Sequence, residues 1–211
     1  MKSRGKTIGL TGMYCAGKNY VASLLEKRGF STLDVDKLGH TAIEQEREAI
    51  LRRFGPEILG NKGGIDRKKL GALVFGESGE LAALEAIVHP AVNRLTEQWL
   101  LEQEGTRLLA INAALLHKSS VFDRLDAIIL VTAPWFVRLI RARGRDRLPW
   151  RELLRRFRSQ RDFMSQYSRK NTDIYVIGNG LFAKPGRRLD GILGRLGADF
   201  VRDIRDFRTF P

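Results

Sequence analysis

The 211-residue sequence has a single cysteine and lacks any apolar run long enough to cross a membrane. A transmembrane helix needs about 20 consecutive apolar residues, so we expect no membrane association. The lone Cys15 cannot form an internal disulfide, and the simplest expectation is a protein of the reducing cytoplasm. Repeats and low-complexity segments are also missing, and 43% hydrophobic residues are typical of a globular protein with an ordinary core.

Acidic residues are scarce relative to basic ones. The chain has 24 Asp and Glu against 37 Lys and Arg, for a net charge of +13. Such a surplus indicates an acidic partner, either nucleic acid or a polyphosphate ligand. Many arginines lie in residues 138–161, where apolar residues at helical spacing predict amphipathic helices. This segment is therefore either a solvated helical face or a lid that brings arginines over a transferred phosphoryl group.

The strongest local pattern in the chain is that of a phosphate-binding loop. An apolar run at residues 8–10 leads to Gly12, and Gly17-Lys18 opens a helical pattern. Glycines at this spacing let successive backbone N–H groups face one anion, and the N-terminus of the following helix adds partial positive charge. Lys18 is expected to reach the β- and γ-phosphates of a nucleotide. Asn19 stands where serine or threonine normally offers a hydroxyl to magnesium.

Short apolar segments alternate with helical patterns along the chain. They predict a doubly wound, three-layer α/β fold with a five-stranded parallel sheet and helices on both faces. The expected strands are residues 7–10, 31–33, 108–111, 127–131 and 173–177. The expected helices are residues 17–27, 37–54, 66–75, 80–104 and 189–196, with His89-Pro90 interrupting the fourth of them.

We expect one domain made of a core, a lobe and a lid. The stretch between the second and third strands is too long for a simple crossover, so a separate helical lobe is expected there. The chain is expected to end in a mobile tail of mixed charge. The expected bounds are residues 1–54 and 106–198 for the core, about 55–105 for the substrate lobe, about 138–165 for the lid and 199–211 for the tail.

A pair of carboxylates follows the second predicted strand. In a doubly wound sheet, ligands bind at the carboxyl ends of the strands, which places Asp34 and Asp36 beside the phosphate loop. A carboxylate there can accept a proton from an attacking hydroxyl or hold hydrated magnesium. The structural alternative is that one of the pair caps the next helix, with Asp36 preceding residues 37–39.

Eight stretches of the chain, which follow one another in order between about residues 7 and 180, resemble the dephospho-CoA kinase family. The matching stretches are IGLTG with GK at residues 8–18, LDVDKLGH at 33–40, RFGPEIL at 53–59, GGIDRKKLGALVF at 63–75, LEAIVHPAV at 84–92, LDAIILVTAP at 125–134, RLIRARGRD at 138–146 and YVIGNG at 175–180. The resemblance implies a P-loop kinase fold. It also implies transfer of the ATP γ-phosphoryl group to the ribose 3′-hydroxyl of dephospho-CoA, the last step of coenzyme A biosynthesis, with Mg²⁺.

The resemblance also implies roles for individual residues. Asp36 matches the base, Lys18 a phosphate-binding cation, Arg141 and Arg145 the lid arginines, and Asn179 the loop near adenine. The expected ATP-binding residues are Gly12, Met13, Tyr14, Cys15, Ala16, Gly17, Lys18, Asn19, Tyr20 and Asn179, and the expected substrate-binding residues are Asp34, Asp66, Arg67, His89 and Pro90. Each has a structural alternative: an ion pair for Arg67, a helix break for His89, and a solvated helix for the two lid arginines.

The chain departs from the family pattern at several positions. Met13 and Tyr14 stand where the family has smaller or more flexible residues, and both must avoid positive φ. Asn19 is the expected Mg²⁺ ligand through its amide oxygen. His117 stands where an acidic residue is usual. These departures keep two other functions open, namely another small-molecule or nucleotide kinase, and a degenerate ATP-binding or nucleic-acid-binding module. Nucleic acid is the weaker candidate because no recognised motif appears, and a monomer or weak oligomer is expected.

Overall fold

The computed structural model describes residues 6–61, 63–76, 79–158, 160, 163, 167 and 172–196, with backbone only at 75 and 76. The expected tail at 199–211 lies outside these residues, as does part of the expected lid. In chain order the elements are β1 (Lys6–Gly12), α1 (Lys18–Glu26), β2 (Ser31–Asp34), α2 (Val35–Gln45), α3 (Arg47–Phe54), a 3-10 turn (Pro56–Ile58), α4 (Arg67–Gly76), α5 (Glu80–Glu102), β3 (Leu108–Asn112), two 3-10 turns (Leu116–Lys118 and Phe122–Arg124), β4 (Ala127–Thr132), α6 (Trp135–Asp146), α7 (Trp150–Arg158), β5 (Ile174–Gly178) and α8 (Pro185–Arg195).

The five strands form one sheet in the order β2-β3-β1-β4-β5. Strand β1 pairs in parallel with β3 on one side and β4 on the other, and β5 pairs in parallel with β4. The prediction of a parallel α/β sheet is thereby confirmed. Because β1 is the central strand, the loop that follows it opens between the carboxyl ends of β3 and β4.

One face of the sheet is covered by α1 and α8. Buried side chains of β1 pack there against apolar residues of the two helices. The apolar runs that predicted β3 and β4 are buried along nearly their whole length, as expected for strands covered on both faces. The residues that form this core include Ile8, Leu10, Val21, Leu25, Ala110, Ile129, Val131, Leu189 and Ile192.

Residues 34–104 form a second compact unit, separate from the unit made by residues up to 33 and from 105 onward. It begins earlier than the lobe that we expected to start at about residue 55. The reason is that α2 and α3 contribute Ala42, Ile50 and Phe54 to the same core as α4 and α5. The expected single helix at 37–54 is instead two helices, because Glu46 leaves the helical conformation at φ −93° and ψ 18°.

The predicted interruption at His89-Pro90 is wrong, since α5 continues through both residues. A proline inside a helix removes one N–H donor and crowds the preceding turn. Pro90 is exposed, so the carbonyl left without an intrahelical partner can be hydrated. Buried Val88 and Ala91 flank the proline and anchor the helix on both sides of it. Within the described residues, no helix is both long enough and apolar enough to cross a membrane.

Candidate active site

The loop between β1 and α1 has the backbone of a phosphate cradle. Its two left-handed residues are Cys15 at φ 56° and Gly17 at φ 93°. The Met13 N–H donates to the Val131 carbonyl of β4 at 3.3 Å, and the Ala16 N–H donates to the Met13 carbonyl at 2.9 Å. Met13 and Tyr14 avoid positive φ, as their bulk requires.

Both predicted loop glycines lie too close to neighbouring atoms to carry a side chain. A Cβ on Gly12 would lie 2.8 Å from the Val131 carbonyl oxygen and 3.0 Å from the Val131 Cβ. A Cβ on Gly17 would collide with Asn179 Nδ2, and its positive φ already disfavours other residues. The glycine spacing seen in the sequence therefore reflects close approach to β4 and to the residue that follows β5.

Two distant side chains converge on one carbonyl of the loop. Asn179 Nδ2 donates to the Ala16 carbonyl at 2.9 Å, and Arg141 Nη1 donates to the same oxygen at 3.2 Å. The Asn179 backbone N–H is itself bonded to the Thr132 carbonyl at 2.7 Å. The structure thus places Arg141 and Asn179 at the phosphate loop. Contact between Asn179 and adenine stays a prediction.

Arg145 also lies at the loop, where it contacts Tyr14. Its guanidinium carbon is 5.2 Å from the centre of the Tyr14 ring. Its Nε and Nη2 donate to the two carboxylate oxygens of Asp146 at 2.7 and 3.1 Å. The Tyr14 hydroxyl donates to Asp146 Oδ2. Sequence analysis missed Asp146, whose position at the end of α6 beside a helical arginine gave no signal of a contact with the loop.

The contacts among Tyr14, Arg145 and Asp146, together with burial, shift the pKa values of Asp146 and Tyr14. The hydrogen bond from Arg145 holds the pKa of Asp146 below its usual range, so the carboxylate is ionised at neutral pH. Burial, and then the bond to Asp146, raises the pKa of the Tyr14 hydroxyl. Tyr14 therefore remains a neutral donor to an ionised acceptor, which is a stronger bond than one between neutral groups.

Arg138, near the start of α6, is a third arginine of this helix, and it was not singled out from the sequence. It is only 8% exposed, and its guanidinium lies 4.9 Å from the centre of the Phe157 ring. Within the described part of the chain, its Nε and Nη1 have no hydrogen-bond partner. Burial lowers the pKa of Arg138. The spacing of residues 138, 141 and 145 puts all three arginines on one helical face, and this spacing is the signal that could have identified Arg138.

Cys15 is a half-buried residue of the phosphate loop. Burial raises the pKa of its thiol and outweighs the opposing effects of Arg145, Arg138 and Arg141. The thiol is therefore protonated at neutral pH, and a thiolate nucleophile is not formed there.

Asn19, the expected metal ligand, is held by a residue of β3. Asn112 Nδ2 donates to Asn19 Oδ1 at 3.2 Å. Asn112 is 2% exposed, and its own Oδ1 is buried without a partner among the described residues. A hard cation such as Mg²⁺ prefers oxygen ligands of this kind, and Asn19 Oδ1 keeps a second lone pair, so the residues fit the metal. Asn112 was missed because it ends an otherwise apolar strand.

His117, which replaces an expected acidic residue, belongs to a buried network in the same unit. Its Nδ1 lies 3.4 Å from the hydroxyl of Tyr167, and the two rings meet edge to face. The same hydroxyl lies 3.2 Å from Oγ1 of Thr11 in β1. Burial raises the pKa of Tyr167. His117 thus helps to connect β1, the turn after β3 and Tyr167.

The remaining predicted residues lie in the second unit. Helix α2 begins at Val35, so Asp36 lies in its first turn and does not cap it. The capping alternative for Asp36 is therefore wrong. Asp34 occupies the N-cap position without a side-chain cap bond, and its carboxylate lies 3.8 Å from Lys37 Nζ. The role of Asp36 as a base stays a prediction.

Asp66 has a structural role that sequence analysis did not foresee. Its Oδ1 accepts hydrogen bonds from the backbone N–H groups of Lys68 at 2.9 Å and Lys69 at 3.3 Å, so it caps α4. These bonds hold the pKa of Asp66 below its usual range. Arg67 is exposed in the first turn of the same helix. His89, which is half-buried, and the exposed Pro90 lie in α5.

A parallel sheet, a glycine-bearing loop before α1 and arginines from α6 against that loop define a P-loop kinase. The family model for dephospho-CoA kinase matches residues 6–183 of the chain. The chain therefore belongs to the dephospho-CoA kinase family.

Individual relatives agree with the family model. The chain is 34% identical over 181 residues to a dephospho-CoA kinase of Treponema denticola, which covers 82% of this chain and 81% of that protein. It is 33% identical over 200 residues to a dephospho-CoA kinase of Treponema pallidum, with coverage of 90% and 95%. A crystal structure of a protein from Thermus thermophilus superposes with a TM-score of 0.77 at 34% identity, covering 93% of this chain and 100% of that one.

We predict that Gly12→Ala destabilises the protein because the new Cβ overpacks against β4. Overpacking of this kind costs roughly 1–3 kcal/mol of unfolding free energy. Urea unfolding followed by circular dichroism measures it. Gly178→Ala, at the end of β5, is the matched control, since nothing lies within 4 Å of its Cβ position. Equal losses in the two variants would show that the approach to Val131 is not what requires glycine at position 12.

Proposed function

We propose that this protein transfers the γ-phosphoryl group of ATP to the ribose 3′-hydroxyl of dephospho-CoA, giving coenzyme A and ADP. The observation that carries the proposal is the dephospho-CoA kinase match over residues 6–183, which includes the phosphate loop and the arginines of α6. The net charge of +13 supports it, because both substrates carry phosphoanhydrides.

Phosphoryl transfer depends more on positioning and charge neutralisation than on covalent chemistry. We expected the amides of residues 12–19 to bind the β- and γ-phosphates, but the N–H groups of Met13, Tyr14 and Ala16 donate to acceptors within the protein. Phosphate binding is therefore assigned to other amides of the loop and to the N-terminus of α1, and Lys18 adds a full charge. Arg141 and Arg145 neutralise the charge that spreads over the equatorial oxygens of the transferred group. Their contacts with Ala16 and Tyr14 support these roles, because they keep both guanidinium groups at the loop.

The acceptor hydroxyl needs a base, and Asp36 is our candidate. A carboxylate in the first turn after β2 can accept the proton of the 3′-hydroxyl as its oxygen attacks the γ-phosphorus. The neighbouring Asp34 and the second-unit residues Asp66, Arg67, His89 and Pro90 are our candidates for binding the acceptor. Asp66 can do so only through the carboxylate oxygen that does not cap α4.

Mg²⁺ fits the loop through Asn19 Oδ1, which Asn112 orients. When bound, the ion neutralises charge on the β- and γ-phosphates. The protein's own part is to keep the amide oxygen of Asn19 turned by its bond to Asn112, with the remaining lone pair available.

The decisive test is to incubate the purified protein with ATP, Mg²⁺ and dephospho-CoA and to quantify ADP and coenzyme A by chromatography. We expect turnover in the wild type and a loss of at least about a hundredfold in Lys18→Ala, because the charge on the phosphates is lost. Lys27→Ala, at the exposed end of α1, is the matched control. Coenzyme A formation no higher than in Lys18→Ala would refute the activity. A panel of nucleosides and nucleotides in the same assay tests the alternative of another kinase.

Asp36→Asn is expected to lower kcat by about a hundredfold or more, because an amide cannot accept the proton. The affinity for ATP, measured by calorimetry, should change little. Asp190→Asn removes a carboxylate of the surface pair with Arg28 and serves as the control. Equal losses of turnover and ATP affinity would assign Asp36 to holding the metal or the fold instead of to proton transfer.

Asn19→Ala is expected to raise the Mg²⁺ concentration for half-maximal turnover about tenfold, because a ligand oxygen is lost. Asn19→Thr restores an oxygen at the same position and should reverse the shift. Initial rates at saturating ATP across a Mg²⁺ titration measure both. An unchanged midpoint in the alanine variant would contradict a metal-binding role.

A further inference from the structure

Tyr14 makes more contacts outside the phosphate loop than the role of a cradle residue requires. Its ring meets Phe157 of α7 edge to face at 5.6 Å. The guanidinium groups of Arg145 and Arg156 lie 5.2 and 5.9 Å from the ring centre. Its backbone N–H donates to Gln160 Oε1 at 2.6 Å. The Tyr14 side chain thus contacts residues of both α6 and α7.

Asp146 connects these contacts to each other. Its carboxylate accepts two bonds from Arg145 and one from the Tyr14 hydroxyl, and its Oδ2 lies 3.9 Å from Arg156 Nη1. The Asp146 side chain is 17% exposed, whereas that of Arg145 is 61% exposed. An exposed arginine on its own would sample many rotamers, and a surface ion pair alone holds it weakly.

The Tyr14 hydroxyl makes this ion pair more than a surface pair. It fixes the carboxylate from the side of the loop, and the Tyr14 ring offers its face to the guanidinium that the carboxylate binds. Arg145 commits Nε and Nη2 to Asp146, which leaves Nη1 for an oxygen of the transferred group. The Asp146 carboxylate and the Tyr14 hydroxyl and ring therefore fix both the position and the orientation of the Arg145 guanidinium.

We propose that Tyr14 is a positioning residue for phosphoryl transfer: its hydroxyl, acting through Asp146, holds the Arg145 guanidinium at the phosphate loop. The inference rests on the proposed function, because it assigns Arg145 to the transferred phosphoryl group. The phosphoryl transfer step is the one given under the proposed function. The bond between the γ-phosphorus and the bridging oxygen of ADP breaks, the bond to the 3′-oxygen forms, and the hydroxyl proton goes to Asp36.

The kinetic test compares Tyr14→Phe with the wild type. The phenylalanine keeps the ring contacts and loses only the hydroxyl, so we expect kcat to fall about tenfold while the KM values for ATP and dephospho-CoA change less than about threefold. Tyr175→Phe is the matched control, because it removes a tyrosine hydroxyl that lies 3.3 Å from a carboxylate, that of Asp173, away from the loop. An unchanged kcat in Tyr14→Phe overturns the inference.

A double-variant comparison separates positioning from general support of the fold. If Tyr14 acts through Arg145, then Tyr14→Phe costs nothing further in an Arg145→Ala background. If it only stabilises the packing of α6 and α7, the same loss appears in both backgrounds, and the inference fails. Asp146→Asn is the second variant. It keeps an oxygen for the Tyr14 hydroxyl, removes the charge that binds Arg145, and should reproduce the loss in kcat.

A nuclear magnetic resonance measurement decides the inference independently of turnover. The Arg145 Nε–H, bonded to Asp146 at 2.7 Å, should give a protected arginine signal that is assigned by its loss in Arg145→Lys. We expect this signal to exchange faster in Tyr14→Phe and to stay unchanged in Tyr175→Phe. An unchanged signal in Tyr14→Phe overturns the inference. A wild type that makes no coenzyme A but shows the expected signals refutes the proposed function and leaves the role of Tyr14 in holding Arg145 supported.

Discussion

The carbonyl oxygen of Ala16 is the point on which the candidate site depends. It accepts hydrogen bonds from Asn179, which follows β5, and from Arg141 of α6, so the loop, the sheet and α6 are joined at one atom. Such contacts are possible because Gly17 has no side chain to separate Asn179 from the loop.

Elements with a local physical signal could be predicted from the sequence. Apolar runs and the glycine spacing identified β1, β3, β4 and the phosphate loop, because strand burial and left-handed turns restrict residue type position by position. Contacts between distant positions could not be predicted. Tyr14 and Asp146 are 132 residues apart, and Asn19 and Asn112 are 93 apart. Nothing near Asp146 or Asn112 in the chain indicates those partners. The break predicted at Pro90 was wrong for a related reason. The packing of α5, which the local sequence does not show, outweighs the local cost of a proline in the helix.

Three residues that depart from the family pattern, Tyr14, Asn19 and His117, each contact a residue that lies far away in the sequence. At Tyr14, where the family pattern has a smaller residue, the side chain contacts Asp146 and Arg145. At Asn19, where a hydroxyl residue is usual, Asn112 of the neighbouring strand orients the amide. His117, in place of an acidic residue, lies against the Tyr167 hydroxyl that also contacts Thr11. Tyr14, Asn19 and His117 therefore have partners in α6, in β3 and in the segment after α7, respectively.

The contacts of Tyr14 and Asp146 also restrict the phosphate loop and the end of α6. Ordering a loop and a long arginine side chain costs conformational entropy. Here Tyr14 adds a rigid ring to the loop, and Asp146 offsets part of the repulsion between Arg145 and Arg156. Part of the ordering that substrate binding would otherwise have to produce is thus already present. Preorganised charge is the main way in which an enzyme stabilises a transferring phosphoryl group. In the role that we propose for Arg145, a guanidinium held in this manner favours the chemical step more than it favours substrate binding.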